Sequence, residues 1–260
     1  MSRTIIVTGA SSGIGAETVR RLRQAGARVV GVDRSETSDA DLHLVADLSS
    51  EAGVRSVIER LDGQYDGLCN IAGVPGTAPA EAVLNINVLA LRALTTGILP
   101  ALRPGASIVN LASQAGAAWR DDLPSIREFL RQESWDDARS WAAENLPASV
   151  NAYAFSKECV IVLTQMQAAA ALGRGVRINS VSPGPVETPI LDDFRKDLGQ
   201  EKTAAAREAV GRWGNPADIA SIVVALLDPS VTGWVNGANI PADGGLGASR
   251  LAKELQEAQA

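Results

Sequence analysis

Tyr153 and Lys157 stand four residues apart in Ala152–Leu172, a run whose pattern is helical, so both side chains leave one helix face. A tyrosine beside a lysine can move a proton. A free phenol, with a pKa of about 10, is too weakly acidic to serve as an efficient base near neutrality. A neighbouring ammonium favours the phenolate and lowers that value. Ser113 follows the apolar run Ser107–Leu111, and its hydroxyl can bond a reacting oxygen as charge develops there. A lone YxxxK is equally a surface pair on an amphipathic helix, so its meaning depends on what else the chain supplies.

It supplies a place for an electron carrier. Thr8-Gly9-Ala10-Ser11-Ser12-Gly13-Ile14-Gly15 joins the first β-like run to the first helical one. Glycines at such a turn let backbone N–H groups approach a pyrophosphate at the helix N-terminus. Asp33 closes the next apolar run about 20 residues on, where a carboxylate accepts hydrogen bonds from ribose hydroxyls. Asp33 repels a 2′-phosphate and Ser12 offers no cation to hold one, which favours NAD over NADP. Arg34 pulls the other way, since its guanidinium could pair with that phosphate. With a nicotinamide cofactor carrying the electrons, the tyrosine, lysine and serine fit hydride transfer between an alcohol and a carbonyl compound.

The inventory excludes much else. His43 is the single histidine, so Ser-His-Asp, Cys-His and multi-histidine metal sites are impossible, and no metal is expected. Cys69 and Cys159 each sit in an apolar run and read as buried free thiols. A net charge of −6 argues against a nucleic-acid footprint. Met1–Val7 has no signal-peptide pattern, and apolar runs such as Ile222–Leu227 are too short to span a bilayer, so a cytoplasmic protein without membrane contact is expected.

Positioning these groups requires a parallel sheet. The β-branched runs Thr4–Thr8, Arg28–Val32, Leu42–Val45, Gly67–Ile71, Ser107–Leu111, Val176–Val181 and Ala238–Ile240 alternate with helical patterns. That alternation predicts an α/β, Rossmann-type doubly wound sheet in one domain spanning 1–260. Two stretches interrupt it, Gly116–Val150 and Pro185–Trp213, read as an insertion and a substrate lid. Ser249–Ala260 reads as a surface helix or frayed tail.

These motifs, in this order, resemble the short-chain dehydrogenase/reductase family over nearly the whole chain. TGASSGIG at Thr8–Gly15 is similar to the family's TGxxxGxG; Asp47-Leu48 matches its adenine-contacting pair, and Asn70-Ile71-Ala72-Gly73 approaches its NNAG. The resemblance implies a catalytic tetrad of Asn87, Ser113, Tyr153 and Lys157, with Asn87 positioning a relay water near the lysine. It also implies that Pro183-Gly184-Pro185-Val186-Glu187-Thr188 holds the carboxamide end of the cofactor through Thr188. Asp243-Gly244-Gly245 is similar to its C-terminal signature.

Ser113 and Tyr153 lie about 40 residues apart, against about a dozen in most members of the family, so Gly116–Val150 is extra. Ile126, Phe129 and Leu130, then Ala138, Trp141 and Ala142, predict two short helices, the second capped at Ser134 by an S-x-x-D spacing. This arrangement resembles the bacterial 3α-hydroxysteroid dehydrogenase/carbonyl reductase subgroup and coniferyl-alcohol-type dehydrogenases. The expected substrate is a bulky hydrophobic alcohol or ketone, with a hydroxysteroid as one case. An aromatic alcohol, a carrier-bound 3-oxoacyl chain, and a nucleotide sensor without catalysis are the alternatives. Apolar Ile190, Leu191, Phe194 and Leu198 at helical spacing fit either core packing or a wall over the nicotinamide. An insertion entering just before Tyr153 should cover the helices many members use to form tetramers, which leaves a homodimer.

Overall fold

The strands form because their runs are apolar on both faces, and only a sheet covered by helices on each side can bury them. The computed structural model describes residues 2–36, 39–147, 150–188, 191 and 200–258, with backbone alone at 200–203. The strands are β1 (Thr4–Thr8), β2 (Arg28–Asp33), β3 (Leu42–Val45), β4 (Tyr65–Asn70), β5 (Leu102–Leu111), β6 (Arg177–Pro183) and β7 (Asn239–Ala242). They pair in the order β3-β2-β1-β4-β5-β6-β7, every neighbour parallel. The direction of winding reverses between β1 and β4. A doubly wound sheet binds its ligand outside the carboxyl ends of the strands at such a point.

Alternation along the strands divides the core. Ile6, Val30, Leu68, Ile108 and Ile178 face one helical layer. Ile5, Val7, Val29, Cys69, Val109 and Val181 face the other. The second layer is α1 (Gly13–Gln24), through Val19 and Leu22, with a helix entered much later. The first contains α2 (Glu51–Arg60) and a long helical run of α3 (Ala80–Leu84), a π-helical segment at Asn85–Ala90, and α4 (Leu91–Ile98). That run, Ala80–Ala101, is long and apolar enough to cross a bilayer, contrary to the expectation from shorter runs. It is instead a core helix: 61% of its most apolar window is buried, with Leu84, Leu89, Leu94 and Ile98 in the core.

The insertion is two helices, α5 (Leu123–Leu130) and α6 (Trp135–Asn145). Ser134 caps α6 as its spacing predicts, accepting from Asp137 N at 3.0 Å. Phe129 is fully buried. It meets Phe155 edge-on at 5.6 Å between centroids and Trp141 at 5.7 Å. Phe155 belongs to α7 (Ala152–Ala170), so the insertion is fastened to the helix that carries Tyr153 and Lys157.

Beyond β6 come α8 (Gln200–Val210) and α9 (Pro216–Leu227), the latter opened by a capping box between Asn215 and Asp218. The helix α9 completes the second layer with Ile219, Val223 and Leu226. Then follow the single turn α10 (Pro229–Thr232), β7 and α11 (Leu246–Glu257). Of the apolar lid residues, Leu191 is buried, while Ile190, Phe194 and Leu198 lie outside the described residues.

Candidate active site

The turn after β1 is closed on itself. A Cβ at Gly15 would overlap the Gly9 carbonyl oxygen, and one at Gly9 would stand 2.9 Å from Ala72 Cα. Side-chain-free residues therefore let β1, the start of α1 and the end of β4 converge. Thr8 Oγ1 accepts from the backbone N–H groups of both Ile71 and Ala72 at 3.0 Å, tying that junction together. The helix α1 has no side-chain cap at Ser12 and no acid in its first turn, whereas Ser50, Ser134, Asn151 and Asn215 cap their helices. Its first N–H groups and dipole are left for an anion.

Asp33 is fixed at the carboxyl end of β2. Its two oxygens accept from Ser11 N at 3.0 Å and Ser35 N at 3.1 Å. A carboxylate keeps further lone pairs when so held, available to ribose hydroxyls. This uncapped helix start, with a carboxylate at the tip of the adjacent strand, fits a dinucleotide. Arg34 beside it is exposed.

Not every motif residue presents its side chain to a ligand. Asn70 is buried, donating to Thr95 Oγ1 at 3.0 Å and Asn110 Oδ1 at 2.9 Å, so its amide orders the sheet interior and does not line the cleft. Leu48 packs in the first core layer, which restricts it to backbone contacts with a ligand. Asp47 accepts from Ser49 N at 2.9 Å, and the Ser49 backbone and hydroxyl hold its carboxyl below the usual range, with Arg34 adding a smaller pull. Asp47 thus shapes the turn before α2, whose cap is Ser50.

The four candidate catalytic residues do converge. Asn87 lies in the π-helical segment, an irregularity common at functional sites. Its amide accepts from Val74 N at 3.0 Å, donates to Val74 O at 3.2 Å, and donates to Ser156 Oγ at 3.1 Å. Lys157 Nζ donates to Leu111 O at 2.8 Å, which ties α7 to the end of β5, two residues before Ser113. A Cβ at Gly73 would lie 3.1 Å from Asn87 Oδ1 and 3.7 Å from Lys157 Nζ, so the absence of a side chain leaves a small space between them. Ser113 caps a short turn through Ala115 N and hydrogen-bonds Tyr153.

Burial dominates the electrostatics of the site. Burial pushes the Tyr153 phenol up to about 12, with the Ser113 hydrogen bond acting the other way. Burial also draws the Lys157 ammonium down to about 8. Lys157 Nζ is 5.6 Å from the Tyr153 ring centroid. Both cysteines are buried, with thiols pushed up by burial, Cys69 to about 12.

A cleft of about 270 Å³ opens over Ser113, Tyr153 and Lys157. Ile14, Gly73, Pro183, Gly184, Val186 and Thr188, expected at the cofactor, line this cleft, and Ile71, Leu111 and Leu191 give it apolar walls. Several further contributors escaped notice in the sequence, among them Gln114, Leu246 and Arg250. Leu246 and Arg250 belong to α11, which begins earlier than the expected tail and is anchored by buried Leu246. No local motif marks them.

The comparisons with known proteins agree with this geometry. Residues 3–123 match the short chain dehydrogenase model, and 138–247 match a model described as enoyl-(acyl carrier protein) reductase. The chain is 43% identical to a coniferyl-alcohol dehydrogenase of Pseudomonas sp., covering 95% of this chain and 98% of that relative. It is 32% identical to a 3-alpha-hydroxysteroid dehydrogenase/carbonyl reductase of Comamonas testosteroni, covering 94% and 96%. The crystal structure of a 3-alpha-hydroxysteroid dehydrogenase from Pseudomonas sp. B-0831 complexed with NADH superposes with a TM-score of 0.81 at 32% identity, over 96% of this chain and 99% of that one.

Proposed function

Because this chain belongs to the short-chain dehydrogenase/reductase family and is an NAD(P)-dependent alcohol oxidoreductase, we propose that it uses NAD to oxidise aryl alcohols of the coniferyl type. The cleft carries this reading. Its roughly 270 Å³ must hold the nicotinamide end of the cofactor as well as the substrate, and its walls are apolar. Apolar walls with a few polar groups at one end suit an aromatic ring bearing a carbinol. The likeness to a coniferyl-alcohol dehydrogenase supports the same choice.

When bound, NAD⁺ would accept the hydride and place a positive ring beside the phenol. Gly9, Ser11, Ser12, Gly13 and Gly15 would hold its pyrophosphate, and Asp33 its adenine-side ribose. Ser113 donates a hydrogen bond to the carbinol oxygen, and Tyr153 removes the hydroxyl proton. Since burial opposes ionisation of Tyr153, its phenolate needs positive charge close by. Lys157 is fixed within reach by Leu111 O to contribute it. The space at Gly73, bounded by Asn87 and Lys157, suits a relay water that returns the proton to solvent.

Hydroxysteroid oxidation is the second reading, favoured by the 32% likeness to the Comamonas testosteroni relative. Steady-state turnover with NAD⁺ on coniferyl alcohol, substituted benzyl alcohols and 3α-hydroxysteroids tests the choice. A kcat/KM for the steroids above that for every aryl alcohol overturns the primary reading.

A further inference from the structure

We propose that Arg250 recognises the end of the substrate remote from the reacting carbon, and that this end carries an acidic oxygen, a phenol or a carboxylate. The inference rests on the aryl-alcohol reading and extends it to the other end of the molecule. Among the described residues two cations line the cleft, Lys157 and Arg250, and no carboxylate does. Lys157 is buried and committed to Leu111 O. Arg250 has neither an ion pair nor a hydrogen-bond partner among the described residues.

Its position is built. Leu246 and Arg250 are one helical step of four apart, so they share a face of α11, and both line the cleft. Leu246 is 4% exposed and pins that face inward. Gly247 N donates to Asp243 Oδ2 at 2.8 Å, which fixes the first turn. A Cβ at Gly247 would stand 3.7 Å from Gln114 Oε1, so the helix start lies over the residue that follows Ser113. The base of the Arg250 side chain is thereby fixed at the mouth of the catalytic cleft, with the side chain itself exposed to solvent.

A wholly apolar substrate would desolvate part of this guanidinium and return nothing, which is unfavourable. An acidic oxygen returns a charge-assisted hydrogen bond, and a carboxylate can return two in the planar fork of arginine. The chain as a whole carries −6 and repels an anion at long range. A local cation at the mouth offsets that repulsion where binding occurs.

Matched pairs separate the two sources of acidic oxygen: 4-(hydroxymethyl)benzoate with its methyl ester, and 4-hydroxybenzyl alcohol with its methyl ether. Wild type should prefer one unblocked alcohol over its blocked partner. Arg250→Leu should raise KM for that alcohol about tenfold, with kcat and both blocked partners within about twofold. Arg250→Lys should restore part of the loss, and added salt should shrink the wild-type preference. Equal KM effects on all four alcohols, or none, overturn the inference. Titrating 4-methylbenzoate onto the NADH-loaded protein, followed by nicotinamide fluorescence, needs no turnover. Weaker binding in Arg250→Leu with no aryl alcohol oxidised overturns the aryl-alcohol reading alone. Oxidation of all four alcohols without dependence on Arg250 overturns this inference alone.

Discussion

Gly116 lies flat against the backbone of Lys157: a Cβ at position 116 would stand 2.7 Å from the Lys157 carbonyl carbon and 2.8 Å from Glu158 N. Neither neighbour can yield without moving α7. Gly116→Ala should therefore push the turn that begins at Ser113 away from Tyr153. Overpacking of this kind costs about 1–3 kcal/mol. The expected result is a lower Tm and a kcat reduced at least about tenfold, with NADH affinity kept because the glycine-rich turn is elsewhere. Calorimetry and fluorescence titration check both parts, and an unchanged kcat counts against the contact as a positioning device.

Tyr153→Phe should abolish turnover and leave NADH binding nearly intact, since only the hydroxyl is lost. Lys157→Met should be comparably severe and should also weaken cofactor binding. In wild type, oxidation should rise with pH beyond neutrality, because burial raises the Tyr153 pKa and only the deprotonated phenol accepts the proton. Substantial residual turnover in Tyr153→Phe would contradict the mechanism.

Asp33→Ala should shift cofactor preference from NAD toward NADP by removing repulsion of the 2′-phosphate and leaving Arg34 beside it. The ratio of kcat/KM for the two cofactors reads this directly. A wild-type enzyme already favouring NADP would refute the assignment.

Glu158, next to Lys157 on α7, is a buried carboxyl whose pKa rises to about 7, first through burial and then through Asp122 and Asp121 at the start of the insertion. A carboxyl raised in the folded state stabilises it fully below the unfolded pKa of about 4.3. That contribution is lost as pH climbs through about 7. Glu158→Gln should thus raise Tm most at mildly alkaline pH and flatten the fall in Tm between about pH 4.5 and 7. Thermal melts across that window decide it, and an identical pH slope in the variant would refute it.

We propose that the protein assembles as a homodimer. The insertion buries Phe129 and packs it on Phe155 of its own α7, and this packing is expected to cover the helices through which many members of the family form tetramers. Elsewhere, Trp234 is fully exposed, Val231 is largely so, and the edge strand β7 is only partly covered. Light scattering should give a dimer, and Trp234→Asp should weaken it. A tetrameric wild type would refute the covering role of the insertion.

Local chemistry made much of this legible in one dimension. Apolar runs placed all seven strands, the inner ones buried on both faces and the edge strands β3 and β7 only in part, and Ser134 announced its helix because a cap acts over three residues. The TGASSGIG turn, Asp33 and the Tyr153–Lys157 pair were readable because each works within a few residues of backbone. Tertiary structure decided what depends on distant neighbours. Asn70 and Leu48 sit in motifs, yet the sheet turns their side chains into the core. A lysine and a positive nicotinamide ring together favour the Tyr153 phenolate, while burial in the folded chain raises its pKa, a contribution no local motif announces. Arg250 carries no local signal at all. Its place at the cleft exists because Leu246 is buried and brings α11 back over Gln114, a contact between residues more than a hundred positions apart.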